Sequence, residues 1–316
     1  MPAALIESIR PRQWTKNLLV FGALVFVPGA FVMPELIGRA VFAFFLFSFA
    51  AGAGYLINDI RDVEYDRAHP RKSSRPIAKG RLPVGAAIAG SIVLIILAIA
   101  GGCYLDITTP GLPPEATPLC GVPYPFLLTL LAYFVLTFSY SMWLRSVALL
   151  DVLILAVGFT LRAVAGAVAL KVIISPWLLL CSGLLALYLA LAKRRQELRR
   201  LGMVDSNGGE VIATGARTAL SGYSVQLLDQ LIIIAASVNV MSYSLYTFLA
   251  QGHPHNLLML TIPFVIYGIF RYHALIYHMD VGEAPDEVLI RDRPLAACLV
   301  LWVISVVVLL SWPTGG

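Results

Sequence analysis

Apolar residues in this chain run in long blocks instead of recurring at every second or every third to fourth position. About nine stretches, near 17–33, 37–57, 84–104, 124–143, 150–170, 176–191, 222–249, 257–279 and 294–312, stay predominantly apolar over about 20 residues each. An α-helix of that length, rising 1.5 Å per residue, crosses roughly 30 Å of hydrocarbon, so each block predicts a transmembrane helix. The first block follows a basic amphipathic stretch and precedes no small-residue cleavage pattern, so it reads as a retained span and not as a signal peptide. No soluble domain and no repeat of about 20–50 residues interrupts the series. Residues 1–316 are therefore expected to form a single all-α domain, a polytopic membrane bundle.

Composition agrees: 59% hydrophobic and only 13% charged residues leave too few charges to cover a soluble surface. Charge then orients the chain. Lys and Arg gather at Arg10, Arg12 and Lys16, from Arg61 to Arg81, at Arg145, from Lys193 to Arg217, and at Arg291 and Arg293, whereas the alternate connections hold little more than Arg39 and Lys171. The positive-inside rule then predicts a multi-pass protein of the cell membrane with a cytoplasmic N-terminus, cytoplasmic basic loops and, for an odd number of spans, an outer C-terminus. The net charge of +5 needs no nucleic acid as partner, since membrane lipids and cytoplasmic topology account for it. Cys181 and Cys298 fall within blocks and read as packing residues. Cys103 and Cys120 bound an outer connection, where a disulfide and two free thiols are both open. No Cys or His cluster has zinc spacing.

The most polar segment, "INDIRDVEYDRAHPRKSSRPIAKGRLP", continues the second block beyond its small-residue end, Ala51 to Gly54. Asp59, Asp62 and Asp66 are spaced i, i+3, i+7, which stacks three carboxylates on one face of a continuing helix, with Asn58 beside them. Like charges so placed call for a cation. Oxygen ligands without sulfur or imidazole suit Mg²⁺, which completes its octahedron with water and substrate phosphate oxygens. The plain alternative is a solvated helix paired to its own Arg61 and Arg67. After the acids, Pro70 and Pro76 predict a loop that brings Arg71, Lys72, Arg75, Lys79 and Arg81 within reach of a polyphosphate. A basic juxtamembrane loop also serves as a topology signal or a contact for anionic lipid.

"NDIRDVEYD" matches the NDxxDxxxD motif of the UbiA superfamily of intramembrane prenyltransferases, and "RPIAKGRL" resembles the continuation of that motif. The resemblance implies a helical membrane fold, Mg²⁺ held at Asp59, Asp62 and Asp66, and a diphosphate-bearing donor. Most members carry a second acidic DxxxD motif after the sixth span. Here the corresponding stretch is "LYLALAKRRQELRRL", in which Tyr188, Lys193, Arg194, Arg195 and Glu197 stand where the acid pair is expected. A Lys and Arg cluster grips phosphate directly, Arg as a fork and Lys as a point charge.

With "PRQWTKN" and "YSMWLRSVALLDVLILAVGFTLRAVAGA", this departure makes the chain similar to the polyprenyl-phosphate phosphoribosyltransferase branch. That branch transfers 5-phosphoribose from 5-phosphoribosyl 1-diphosphate to a polyprenyl (decaprenyl) phosphate, releasing diphosphate, for cell-wall arabinan precursors. A lipoquinone-type aromatic prenyltransferase is the nearer alternative, and a transporter the remote one. Against the transporter, the acids cluster at one membrane face and no inverted repeat is seen. A homo-oligomer is left open.

Further candidates for phosphate contact are Arg12 and Lys16, which flank Trp14 at the first membrane entry and read equally as snorkelling anchors. Tyr140 and Arg145 resemble the Tyr-Lys pair of the superfamily with one residue more between them. Arg162 lies well inside a block, where a charge costs about 2.5 kcal/mol or more and needs a ligand phosphate or a structural partner such as Asp151 or Asp229. Arg271 raises the same question.

Overall fold

The computed structural model describes residues 1–27, 29–68, 72–108, 122–172, 175–200, 218–249, 254–278, 288 and 291–311. Arg71, Cys120 and residues 201–217, Arg217 among them, lie outside them. Among the described residues every regular element is helical, and eight helices are long and apolar enough to cross a membrane. In chain order the elements are α1 (Pro2–Ser8), a 3-10 segment (Pro11–Phe21), α2 (Gly22–Val25), α3 (Pro34–Arg61), α4 (Val63–Ala68) and α5 (Val84–Thr108). There follow α6 (Pro125–Met142), α7 (Leu150–Leu170), α8 (Pro176–Arg200), α9 (Val225–Leu249), α10 (Ile262–His278) and α11 (Arg293–Ser311).

The blocks near 37–57 and beyond become spans, but the one near 17–33 does not form a regular helix. It divides into the 3-10 segment, the single turn of α2 and a second 3-10 turn at Ala30–Val32. Proline sets where the 3-10 segment begins. Pro11 has no N–H and closes the α region to Arg10, which takes φ 52° and ψ 65°. Between α2 and the second 3-10 turn Gly29 has φ 70°.

The chain divides into two compact units. The first comprises Met1–Leu24, Phe31–Ser141 and Leu161–Ile173; the second comprises Val25–Ala30, Met142–Thr160 and Ile174–Gly316. In the first unit α3 is the enclosed helix. Its small residues Ala40, Ala43, Ala50, Ala51 and Ala53 and the larger Leu46, Phe47 and Leu56 are buried. By contrast α5 turns Ile92, Val93, Ile96 and Leu97 outward, as a lipid-facing span does. The 3-10 segment packs directly on the carboxyl half of α7, where a Cβ on Gly166 would come within 2.0 Å of the Val20 carbonyl oxygen. Only glycine fits that approach.

In the second unit α8 and α9 share a core built from Tyr188, Leu191, Leu228, Ile232, Tyr272 and Ile276. Another cluster joins Cys181, Tyr243 and Tyr246, where the Trp302 indole N–H donates to the Tyr243 hydroxyl at 2.8 Å. Cys103, Cys181 and Cys298 carry free thiols.

Candidate active site

The acidic motif is built at the end of α3. The Asp62 amide donates to Asn58 at 2.9 Å and the Asp66 amide to Asp62 at 2.8 Å, so the helical ladder continues although Asp62, at ψ 13°, bends the chain into α4. The expectation of three carboxylates along one unbroken helix is therefore modified. Asp59 sits in the last turn of α3, Asp62 at the joint and Asp66 on α4. Asp59 and Asp66 are 2% and 1% exposed, whereas Asp62 and Asn58 are half-buried.

The basic loop folds back onto this end because its apolar residues need cover. Ile77, Ala78 and Leu82 are buried, and Ile77 and Leu82 pack with Ala4, Leu56 and Ala87. Gly80, at φ 77°, supplies the turn. Anchored this way, the loop aims Arg75 inward, and its Nη1 lies 2.5 Å from Asp66 Oδ2 and 3.1 Å from Asp59 Oδ1. One guanidinium thus bridges the two buried carboxylates. Arg67 donates to the Ala78 carbonyl at 3.2 Å, which holds the loop from the α4 side. Lys72 lies over the Tyr65 ring at 5.0 Å, while Lys79 is exposed and Arg81 pairs with Glu7 at 2.7 Å. That exposed pair holds the Glu7 carboxyl below its usual range.

A second guanidinium was not singled out by the spacing of the motif. Arg10 reaches Asp59 Oδ1 at 2.5 Å and stands over the Tyr55 ring at 4.9 Å. The only signal in the sequence is its place before Pro11 at the first membrane entry. Two buried carboxylates and two guanidiniums therefore make one local network in the first unit. Its charges balance, as buried ions require.

The basic tract on α8 is organised differently from its appearance in the sequence. Arg194 is enclosed and donates to Asp151 at 2.6 Å and Glu197 at 2.5 Å; Arg195 donates to Asp229 at 2.5 Å and lies over the Tyr277 ring at 3.9 Å. Asp151 also accepts from the Tyr223 hydroxyl at 2.6 Å, and that hydroxyl takes the Leu149 amide at 2.7 Å. Burial and the Asp151 carboxylate raise the Tyr223 phenol well above its usual pKa, so it stays a donor. Lys193 is half-buried. Tyr188 stands in the core, with its hydroxyl donating to the Ile269 carbonyl at 3.4 Å and its ring edge-on to Tyr272. The expectation of a purely cationic phosphate grip is thus altered for Arg194 and Arg195, which are balanced by Asp151, Glu197 and Asp229.

Residues 18–204 match the UbiA prenyltransferase family. The chain belongs to that family. Among its curated relatives is the decaprenyl-phosphate phosphoribosyltransferase of Mycobacterium tuberculosis, 32% identical over 308 residues, with 96% of this chain and 93% of the relative covered. The protein of the same name from Corynebacterium glutamicum is 35% identical over 308 residues, covering 96% of this chain and 85% of that one. A solved UbiA homolog from Archaeoglobus fulgidus, bound to GPP and Mg²⁺, matches 98% of this chain and 99% of its own at a TM-score of 0.68 and 16% identity. The UbiA fold, the transmembrane class and transferase activity follow. The transporter alternative is set aside.

The acid network of this UbiA enzyme suits a divalent cation in two respects. Asp59 and Asp66 offer oxygen only, and Asp66 Oδ1 is a buried acceptor without a hydrogen-bond partner. Such an oxygen is costly to leave unmet. Among the described residues no group of three or more His, Cys, Asp or Glu is assembled for a metal, so water and substrate would supply the remaining ligands.

The other sequence candidates separate. Arg162, 7% exposed, donates from Nε to Asn17 Oδ1 at 2.7 Å and from Nη2 to the Tyr133 hydroxyl at 2.9 Å. The partners foreseen for it, Asp151 and Asp229, are engaged by Arg194 and Arg195. Arg12 is exposed and Lys16 hydrogen-bonds Gln13 within the 3-10 segment. Tyr140, in the last turn of α6, and Arg145, in the turn at Leu144–Ser146, are half-buried. Arg271 makes a forked pair with Asp292 at 3.2 and 2.7 Å, which holds the Asp292 carboxyl below its usual range.

Proposed function

We propose that this UbiA enzyme transfers 5-phosphoribose from 5-phosphoribosyl 1-diphosphate to a polyprenyl phosphate, decaprenyl phosphate foremost, and releases diphosphate. The product would feed cell-wall arabinan synthesis. The observation that carries the reading is the 32–35% identity, over 96% of the chain, to proteins bearing that activity as their name. The basic tract at the second motif supports it, and within that tract the reading assigns Lys193 to a donor phosphate.

Asp59 and Asp66, with Asp62 beside them, would hold Mg²⁺. When bound, Mg²⁺ would supply charge compensation for the departing diphosphate. Arg10 and Arg75, already at the acid pair, would turn to the diphosphate oxygens and neutralise the rest. As the anomeric C–O bond breaks, the ribose gains oxocarbenium character and a phosphate oxygen of the acceptor attacks the opposite face. The acceptor needs no protein base: a phosphate monoester has its second pKa near 6 and is largely dianionic at neutral pH. A single displacement inverts the anomeric carbon.

The test is turnover of purified protein with labelled donors. Phosphoribosyl transfer to polyprenyl monophosphate is expected, and no prenylation of an aromatic acid. Prenylation of 4-hydroxybenzoate without phosphoribosyl transfer would establish the lipoquinone alternative instead. Lys193→Ala should lower phosphoribosyl turnover tens-fold or more, since losing a charge-assisted contact costs about 2–5 kcal/mol.

The same reading places the acid site on the cytoplasmic side, where a soluble sugar phosphate is met. In a variant without native cysteines, a cysteine at Ser74 should react with impermeant reagents only from the cytoplasm, and one at Thr108 only from outside. The reverse labelling would overturn the orientation.

A further inference from the structure

Four features of the first unit converge on its 3-10 segment, which at Pro11–Phe21 is long for a helix type that seldom exceeds a turn or so. At its far end Val20 is fully buried against Gly166. In its middle Asn17, 1% exposed, is held at both ends of its amide: Oδ1 accepts from Arg162 at 2.7 Å, and Nδ2 donates to Ser48 Oγ at 3.0 Å. Ser48 is itself fixed to the Phe44 carbonyl at 2.8 Å, and the Arg162 guanidinium lies over the Tyr133 ring at 4.7 Å. At its near end stands Arg10, in a left-handed conformation, on Asp59.

The spacing of the anchors explains the winding. Ser48 and Asp59, on one continuous helix, are separated by about 16 Å of α-helical rise. From Arg10 to Asn17 the 3-10 rise is about 14 Å, whereas α-helical winding would supply only about 10 Å. The stretched segment lets Asn17 meet Ser48 while Arg10 meets Asp59. A leucine would fill the Arg162 site without the cost of a charge deep in a membrane helix, so packing alone does not account for an arginine there.

We propose that Arg162 is a positioning residue for the acid site. Through Asn17 it fixes the register of the 3-10 segment and thereby the placement of Arg10 against Asp59 and the diphosphate of the substrate. The inference rests on the reading of the acid pair as a diphosphate site, but not on the identity of the group transferred.

The test is a double-mutant cycle read by calorimetric binding of inorganic diphosphate in the presence of Mg²⁺, with the full-length protein in lipid nanodiscs. Arg162→Met and Arg10→Gln should each weaken binding about tenfold, and the double variant should bind no more weakly than Arg10→Gln alone, because residues acting through one contact are not additive. Asn17→Ala, which leaves the guanidinium on Tyr133, should show the same dependence on Arg10 and carries the cycle if Arg162→Met does not fold. Additive losses, or lowered thermal stability with unchanged diphosphate affinity, would reduce Arg162 to a packing role. Wild-type protein that binds magnesium diphosphate but transfers no phosphoribose would sink the donor assignment and leave this inference standing. Wild-type protein that does not bind it would remove both.

Discussion

Asp59→Asn is expected to abolish turnover while leaving a folded, membrane-inserted protein. The substitution keeps the size of the side chain and the last turn of α3, but it removes the charge that Arg10 and Arg75 share. The donor would then meet two misdirected guanidiniums and an incomplete set of oxygen ligands. Losing one preorganised electrostatic contact to a reacting group commonly costs about 10²–10³-fold in rate, and the Asp59 carboxylate also orders two guanidiniums, Arg10 and Arg75. Asp62→Asn, at the joint between α3 and α4, should act in the same direction. Chelation of divalent cations should silence the wild type, and added Mg²⁺ should restore it. Turnover that persists in excess EDTA would remove the metal from the proposed mechanism. A variant at Asp59 that is inactive only because it precipitates would be recognised by size-exclusion chromatography.

Arg194→Met should act on stability before catalysis. Its guanidinium lies between Asp151, which is 0% exposed, and Glu197, so removing it leaves a buried carboxylate that, among the described residues, keeps the Tyr223 hydroxyl as its donor. Breaking such a pair from one side costs about 3–5 kcal/mol, far more than an exposed pair contributes. A marked fall in the thermal midpoint of the purified protein is therefore expected. Replacing Asp151 by Leu in the same chain should recover much of it, because the uncompensated charge is then gone. If Arg194→Met instead raised the KM for the donor with no change in thermal midpoint, the residue would be gripping phosphate and its pairing with Asp151 would be incidental. Lys193 and Arg194 are adjacent in sequence, and the two substitutions set the proposed phosphate contact of Lys193 against the structural pairing of Arg194.

Much of this was legible from the residues in order. Blocks of about 20 apolar positions specify membrane helices because lipid leaves the backbone no other way to satisfy its hydrogen bonds locally, and eight of the blocks became spans among the described residues. The NDxxDxxxD spacing located the acidic end of α3 because helical periodicity is a property of neighbours a few positions apart. The burying of Ile77 and Leu82, which turns the basic loop inward, is not legible in "RPIAKGRL", because their cover, Ala4, Leu56 and Ala87, comes from other elements.

What the order of residues could not reveal is which charge meets which. Arg10 and Asp59 are forty-nine positions apart, and Arg162 and Asn17 are one hundred and forty-five apart. Nor does counting Lys and Arg along α8 disclose that Asp151 and Asp229 arrive from other helices to balance Arg194 and Arg195. The failure of the block near 17–33 to become a helix has the same origin: its apolar content suits a span, but the anchors at Asp59, Ser48 and Gly166 hold it in a stretched winding. Hydrophobicity is a sum over local positions and survives being read as a string. Electrostatic balance inside a membrane depends on distances of about 3 Å between groups that only the packed helices bring together.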